Sequence, residues 1–156
     1  MIIMTLSLQD QFAPNSICFG CGPSNVKGLK IKSFVQGDII TGHFTPEPHH
    51  HAFPGVLYGG TIASILDCHC NWSACWYLMQ HLQTEHLPCM VTAELTVKYL
   101  KPTPMDTALE LKSILSLIEK KKVIVQGELS IAGTIYNTVT GTFIQVSQNH
   151  PAFHRC

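Results

Sequence analysis

The residues best suited to chemistry lie in the stretch Gly55-Val56-Leu57-Tyr58-Gly59-Gly60-Thr61-Ile62-Ala63-Ser64-Ile65-Leu66-Asp67. It reads as a glycine turn opening a long helix. The first amides of a helix have no intrahelical acceptor, so paired glycines there leave N–H groups free to meet an anion or a polarised carbonyl. Asp67, about two turns in, is the one carboxylate among small and apolar residues. An acid in that setting needs a reason, and a carboxylate near exposed amides has the makings of a catalytic pair. Ser64, one turn before Asp67 on the same side, is a weaker candidate for the same work.

Other reactive residue types give less. Cys18-x-x-Cys21 is half of a zinc-site pattern, but no second Cys or His pair has matching spacing, so no metal site is expected. His49-His50-His51 is dense, yet successive side chains diverge, and a structural turn is the simpler reading. Cys68, Cys70 and Cys75 look like small buried hydrophobes. His69 reads as a satisfied core or interface histidine, and Trp72 and Trp76 as core.

These groups need elements to hold them. Gly59 to His81 recurs in apolar residues at three- and four-residue spacing, and its other faces are small or apolar too, so it predicts one buried helix, roughly 33 Å long. Before it, Gly28 to Val35 and Ile39 to Thr45 read as a hairpin about Gln36-Gly37-Asp38. Residues 46–54 hold three prolines and read as a loop. After the helix, strands are expected at 89–100, 107–118, 122–131 and 134–146, with Leu109, Leu111 and, after a slip, Leu115 and Leu117 on one face of the second. Residues 1–17 read as a short helix or coil, and 148–156 as a frayed tail.

Two strands, one helix and four strands predict an α+β domain, a curved antiparallel six-stranded sheet wrapped around the helix. One domain is expected over 1–156, with its core at about 17–146. Free sheet edges, with only 13% charged residues, favour pairing with another copy. Lys+Arg and Asp+Glu both number 10, which argues against a nucleic-acid or polybasic membrane partner. No secretory signal or bilayer-spanning run is visible, and seven cysteines, an odd number, fit a reducing cytoplasm.

The element order resembles the hotdog fold. Cys18-Phe19-Gly20-Cys21-Gly22 with Asn25 and Gly28-Leu29 resembles the N-terminal signature of a branch of hotdog acyl-CoA thioesterases. His50…Phe53-Pro54-Gly55-Val56-Leu57-Tyr58-Gly59-Gly60 resembles the loop before their central helix, and Asp67 stands where that branch carries its acidic catalytic residue. Val91 to Pro102 resembles the strand that follows. The resemblance implies hydrolysis of acyl-CoA to free acid and CoA by a homodimer or dimer of dimers, with no cofactor beyond the CoA of the substrate. It implies that the Gly60 amide binds the thioester carbonyl as oxyanion donor. Asp67, from the facing subunit, is then base or nucleophile, and Thr92 orients the water or the carboxylate. Tyr58, Gly59, His50 and Ser64 are expected to contact substrate. The sequence departs from the family pattern at Tyr58, commonly His, and at Cys68, often acidic. Two other readings stay open: a hotdog protein that binds a thioester without turnover, and a dehydratase acting on a 3-hydroxyacyl thioester.

Overall fold

Residues 59–81 form one helix, α2 (Gly59–His81), in a computed structural model that describes residues 1–153. Its bounds are those expected. Tyr58 is the N-cap, in extended backbone, and no side chain caps the first turn. At the other end Leu82 donates its N–H to Leu78 and Gln80 carbonyls, and Gln83 leaves with φ 51°. From His69 to Met79 almost every residue is buried. In the first half, Gly60, Ser64, Asp67, Cys68 and Asn71 are only half-buried. Their spacing makes one stripe that the rest of the chain covers only in part.

The sheet wraps this helix. Its six strands are β1 (Lys32–Gln36), β2 (Ile39–Phe44), β5 (Met90–Tyr99), β6 (Leu109–Glu119), β7 (Lys122–Ile131) and β8 (Thr134–Gln145), in the order β1-β2-β6-β7-β8-β5, antiparallel throughout. Ile65, Leu66 and Leu78 of α2 join Leu109, Leu111, Val123, Val125, Leu129 and Phe143 of the sheet in the core, each at most 2% exposed. Each such side chain contributes roughly 1.5–3 kcal/mol of transfer free energy. At Gly127 the sheet lies close on the helix: a Cβ there would stand 2.8 Å from Cys70 Sγ. This is the expected α+β hotdog arrangement.

A polar layer crosses that core. His69 Nδ1 lies 2.9 Å from Ser33 Oγ, and its Nε2 lies 3.1 Å from Ser113 Oγ and 3.3 Å from the Ile40 carbonyl. Gln9, from the short helix α1 (Leu8–Phe12), donates to Ser33 Oγ and accepts from the Ser33 amide. Full burial holds the imidazole down at about 4, so it is neutral, as a core histidine must be.

Four local expectations are corrected. The first strand starts at Lys32, not Gly28, because Lys30 adopts φ 55° while Leu29 and Ile31 bond back to Phe19 and Gly20 carbonyls. In β6 the bulge falls between Leu115 and Leu117, and both leucines are exposed. The proline-rich loop holds a 3₁₀ turn, Pro48–His50, and a two-stranded ribbon, β3 (His51–Phe53) with β4 (Val56–Leu57). Pro48 opens the turn, where a missing N–H costs nothing, and Pro54 sits in the connection between the two strands. In the tail, Phe153 N bonds to the His150 carbonyl and Cys89 Sγ to the Ala152 carbonyl, so residues up to 153 fold back; 154–156 lie outside the described residues.

Candidate active site

Asp67 comes from the half-buried stripe of α2, and Thr92 from edge strand β5. The β5–β8 register shifts between Thr92 and Glu94. A bulge re-aims the side chains beside it. Thr92 Oγ1 donates to Asp67 Oδ1 at 2.7 Å. Burial pushes the Asp67 carboxyl up, the Thr92 hydrogen bond draws it down, and charge at Cys18 pushes it up again. The result is a partly desolvated carboxylate with one oxygen held by a hydroxyl.

Both residues line a cavity of about 920 Å³. Phe12, Trp72, Leu87 and Met90 supply apolar wall, and Asn71, one turn after Asp67, supplies an amide. Residues 12–18 form another wall. The sequence reading gave them no part in a site. The hint was glycine placement: a Cβ at Gly20 would stand 2.3 Å from Cys68 Sγ, so only glycine lets the N-terminal turn lie on the helix.

That contact assembles a thiol cluster at the cavity wall. The Sγ atoms of Cys18, Cys21 and Cys68 all lie within 4.8 Å of one another. Trp72 Nε1 donates to Cys21 Sγ at 3.2 Å. Hydrogen bonds from Cys21 and Cys68 pull the Cys18 thiol far down, while Cys21 and Cys68 are pushed up by sharing those protons. Cys68 is therefore not the plain buried hydrophobe expected. These three sulfurs are a donor set that could hold a metal, contrary to the expectation of none. Sequence spacing does not reveal the set because the third sulfur comes singly, from the helix.

The other expected residues gather at the N-terminus of α2. The Tyr58 ring lies against Gly60, where an added Cβ would stand 2.3 Å from Tyr58 Cε1. Tyr99, at the end of β5, donates its phenol to the Gly59 carbonyl at 2.9 Å and so fixes the helix start to the sheet edge. Ser64 Oγ donates to the Gly60 carbonyl at 2.8 Å, which commits its proton within the helix rather than to Asp67. His50 stacks on Phe44 at 5.6 Å and accepts the Glu47 amide on Nδ1, while its own carbonyl takes the Tyr58 amide. Burial, with His49 beside it, lowers the His50 imidazole. Tyr58, Gly59, Gly60, Ser64 and His50 do not line the cavity. Asp67 stands seven helical steps after Gly60, about 10 Å along the axis, so one chain does not bring that amide and that carboxylate to a common carbonyl.

The sequence profile of the thioesterase superfamily matches residues 54–136. Among solved structures, a thioesterase superfamily protein from Shewanella loihica is 35% identical, with TM-score 0.65, covering 75% of this chain and 91% of that one. A second thioesterase superfamily protein is 25% identical, with TM-score 0.65, over 80% of this chain and 61% of its own. The Escherichia coli PaaI protein of the phenylacetic acid degradation operon shares the fold at 13% identity, with TM-score 0.64 over 76% of this chain and 81% of its own. No curated protein matches.

Proposed function

Because the chain belongs to the thioesterase superfamily, we propose that it hydrolyses acyl-CoA thioesters to the free acid and CoA. The observation that carries this reading is the carboxylate of Asp67, held by Thr92 on the wall of a largely apolar cavity. The acyl chain lies against Phe12, Trp72 and Met90, with the thioester carbonyl at the Asp67 end. Asp67 takes a proton from water as the water oxygen bonds to the carbonyl carbon, or attacks that carbon itself. The carbonyl electrons move to oxygen, and the tetrahedral intermediate collapses with loss of the CoA thiolate, which takes up a proton; where Asp67 is the nucleophile, a water then hydrolyses the resulting mixed anhydride to the free acid and restores the carboxylate. Thr92 orients the carboxylate.

The oxyanion needs a donor, and loss of one such donor typically costs ~3–4 kcal/mol. We assign it to the Gly60 amide at the uncapped start of α2. Since Gly60 and Asp67 of one chain stand ~10 Å apart, the amide must come from a second copy. The unpaired edge of β5 and the exposed Phe53, Tyr58 and Tyr99 support such a partner in a homodimer or a dimer of dimers. Tyr58, Gly59 and His50 then frame the carbonyl's approach, and Ser64 holds the helix start. Nothing beyond the CoA of the substrate is required as cofactor. The resemblance of the N-terminal Cys18–Gly22 motif supports assigning the chain to the branch with a catalytic Asp on the central helix.

Free CoA release from a panel of acyl-CoAs, for wild type and Asp67→Asn, tests the assignment. The variant should lose on the order of 10²–10⁴-fold in turnover. Equal rates would sink the role of Asp67, and an acyl-CoA complex that persists for hours unhydrolysed would favour a binding protein instead. The dehydratase reading wants a histidine beside the acid. Among the described residues no histidine lines the cavity, and His69 faces the core.

A further inference from the structure

We propose that Cys18, Cys21 and Cys68 form a zinc site with three thiolate ligands, its fourth position open to the cavity. Two segments far apart in sequence deliver these sulfurs. Cys18 and Cys21 sit on the glycine-rich turn, and Cys68 on the half-buried stripe of α2. The Cys18–Cys68 sulfur separation is 3.9 Å, and all three sulfurs lie within 4.8 Å of one another. Tetrahedral zinc with Zn–S of about 2.3 Å requires sulfur–sulfur edges of ~3.8 Å, so the Cys18–Cys68 edge already matches and the others need close by at most about 1 Å to take the ion.

The surroundings are those of thiolates. The Trp72 indole N–H donates to Cys21 Sγ at 3.2 Å. Donors aimed at sulfur stabilise the negative ligands that a metal needs and fix their direction. Two glycines let the turn close. A Cβ at Gly22 would stand 2.4 Å from the Cys18 nitrogen, and one at Gly20 would strike Cys68 Sγ. All three cysteines line the cavity, so a water can complete the tetrahedron from that side. The ion would pin the N-terminal wall of the cavity to α2. This inference does not depend on the thioesterase reading.

Its test uses the whole reduced protein. After expression with zinc and exhaustive dialysis, elemental analysis should find about one zinc per chain. Cobalt titrated into stripped protein should give thiolate charge-transfer absorption and the strong visible bands of tetrahedral cobalt. Cys18→Ser and Cys68→Ser should weaken cobalt binding by at least tenfold, while Cys70→Ala, whose sulfur lies elsewhere in the core, should keep it. Zinc should also protect Cys18 from alkylation in wild type, a readout independent of how the variants fold. Asp67→Asn should keep the metal while losing turnover, which separates failure of this site from failure of the proposed activity. Reduced wild type that retains no zinc and gives no cobalt–thiolate bands would overturn the proposal. So would cobalt binding indifferent to both serine variants.

Discussion

Thr92→Val is the sharpest probe of the proposed site. Valine keeps the β-branched shape and removes only the hydroxyl that Asp67 accepts at 2.7 Å. Hydrogen bonds to charged groups contribute ~1.5–3 kcal/mol. Asp67 is half-exposed on the cavity wall, where water can replace the lost donor, so the lower end applies. About 1.5 kcal/mol is roughly a tenfold fall in kcat/KM. A purely structural threonine would change stability and leave kcat/KM alone. The decisive measurement is a double-mutant cycle with Asp67→Asn, read by thiol detection of released CoA. If Thr92 acts through the carboxylate, Thr92→Val in the Asp67→Asn background should cost at most about twofold, a coupling near 1 kcal/mol. Thr92→Ser should restore most of the rate. A further tenfold loss in the Asp67→Asn background would refute the coupling and give Thr92 a task of its own.

Three other substitutions separate roles at the helix and in the core. Gly60→Pro deletes the amide N–H itself in the first turn of α2, where no intrahelical acceptor is lost, so the helix should persist while kcat falls on the order of 10²-fold; near-wild-type kcat would remove the Gly60 amide from the site. Ser64→Ala deletes only the bond to the Gly60 carbonyl and should leave kcat/KM within about twofold and stability within ~0.5 kcal/mol; a large kcat loss would make Ser64 catalytic. His69→Leu strips Ser33 and Ser113 of a partner in the dry core and should cost about 2–4 kcal/mol, seen as a lower urea midpoint at unchanged slope; an unaltered midpoint would show the polar layer to be idle.

What could be seen in the sequence followed from local pattern. The bounds of α2 were legible because the glycine pair marks its start and because a helix covered on most sides must be apolar almost all round. Strands 122–131 and 134–145 were legible because their turns, Lys120-Lys121 and Ala132-Gly133, are short and sharp, with φ of 55° at Lys120 and 47° at Ala132. Leu115 and Leu117 misled because a leucine on a strand counts as buried until its register is known, and the bulge that exposes them is set by pairing with Ile124 and Val125. The thiol cluster was invisible for a related reason. Cys18 and Cys68 are 50 residues apart, and only the close approach at Gly20 joins them.

The pairing of Asp67 with Thr92 shows where resemblance went further than pattern. Nothing in the spacing of residues 25 apart links a helix to a strand that follows it. The geometry supplies the physical reason: β5 is the last strand of the sheet, has no neighbouring strand on its far side among the described residues, and is largely exposed from Thr92 to Tyr99. An acid on the half-buried stripe of α2 can therefore reach a hydroxyl on that edge, and both line the open cavity. The same openness argues that a single chain is half of the machinery. Its carboxylate and its uncapped helix start are held apart by two turns of a helix that cannot bend them together. A second copy pairing along β5 would bring one chain's Gly60 towards the other's Asp67, and it would bury Tyr58 and Tyr99, which a monomer leaves in water.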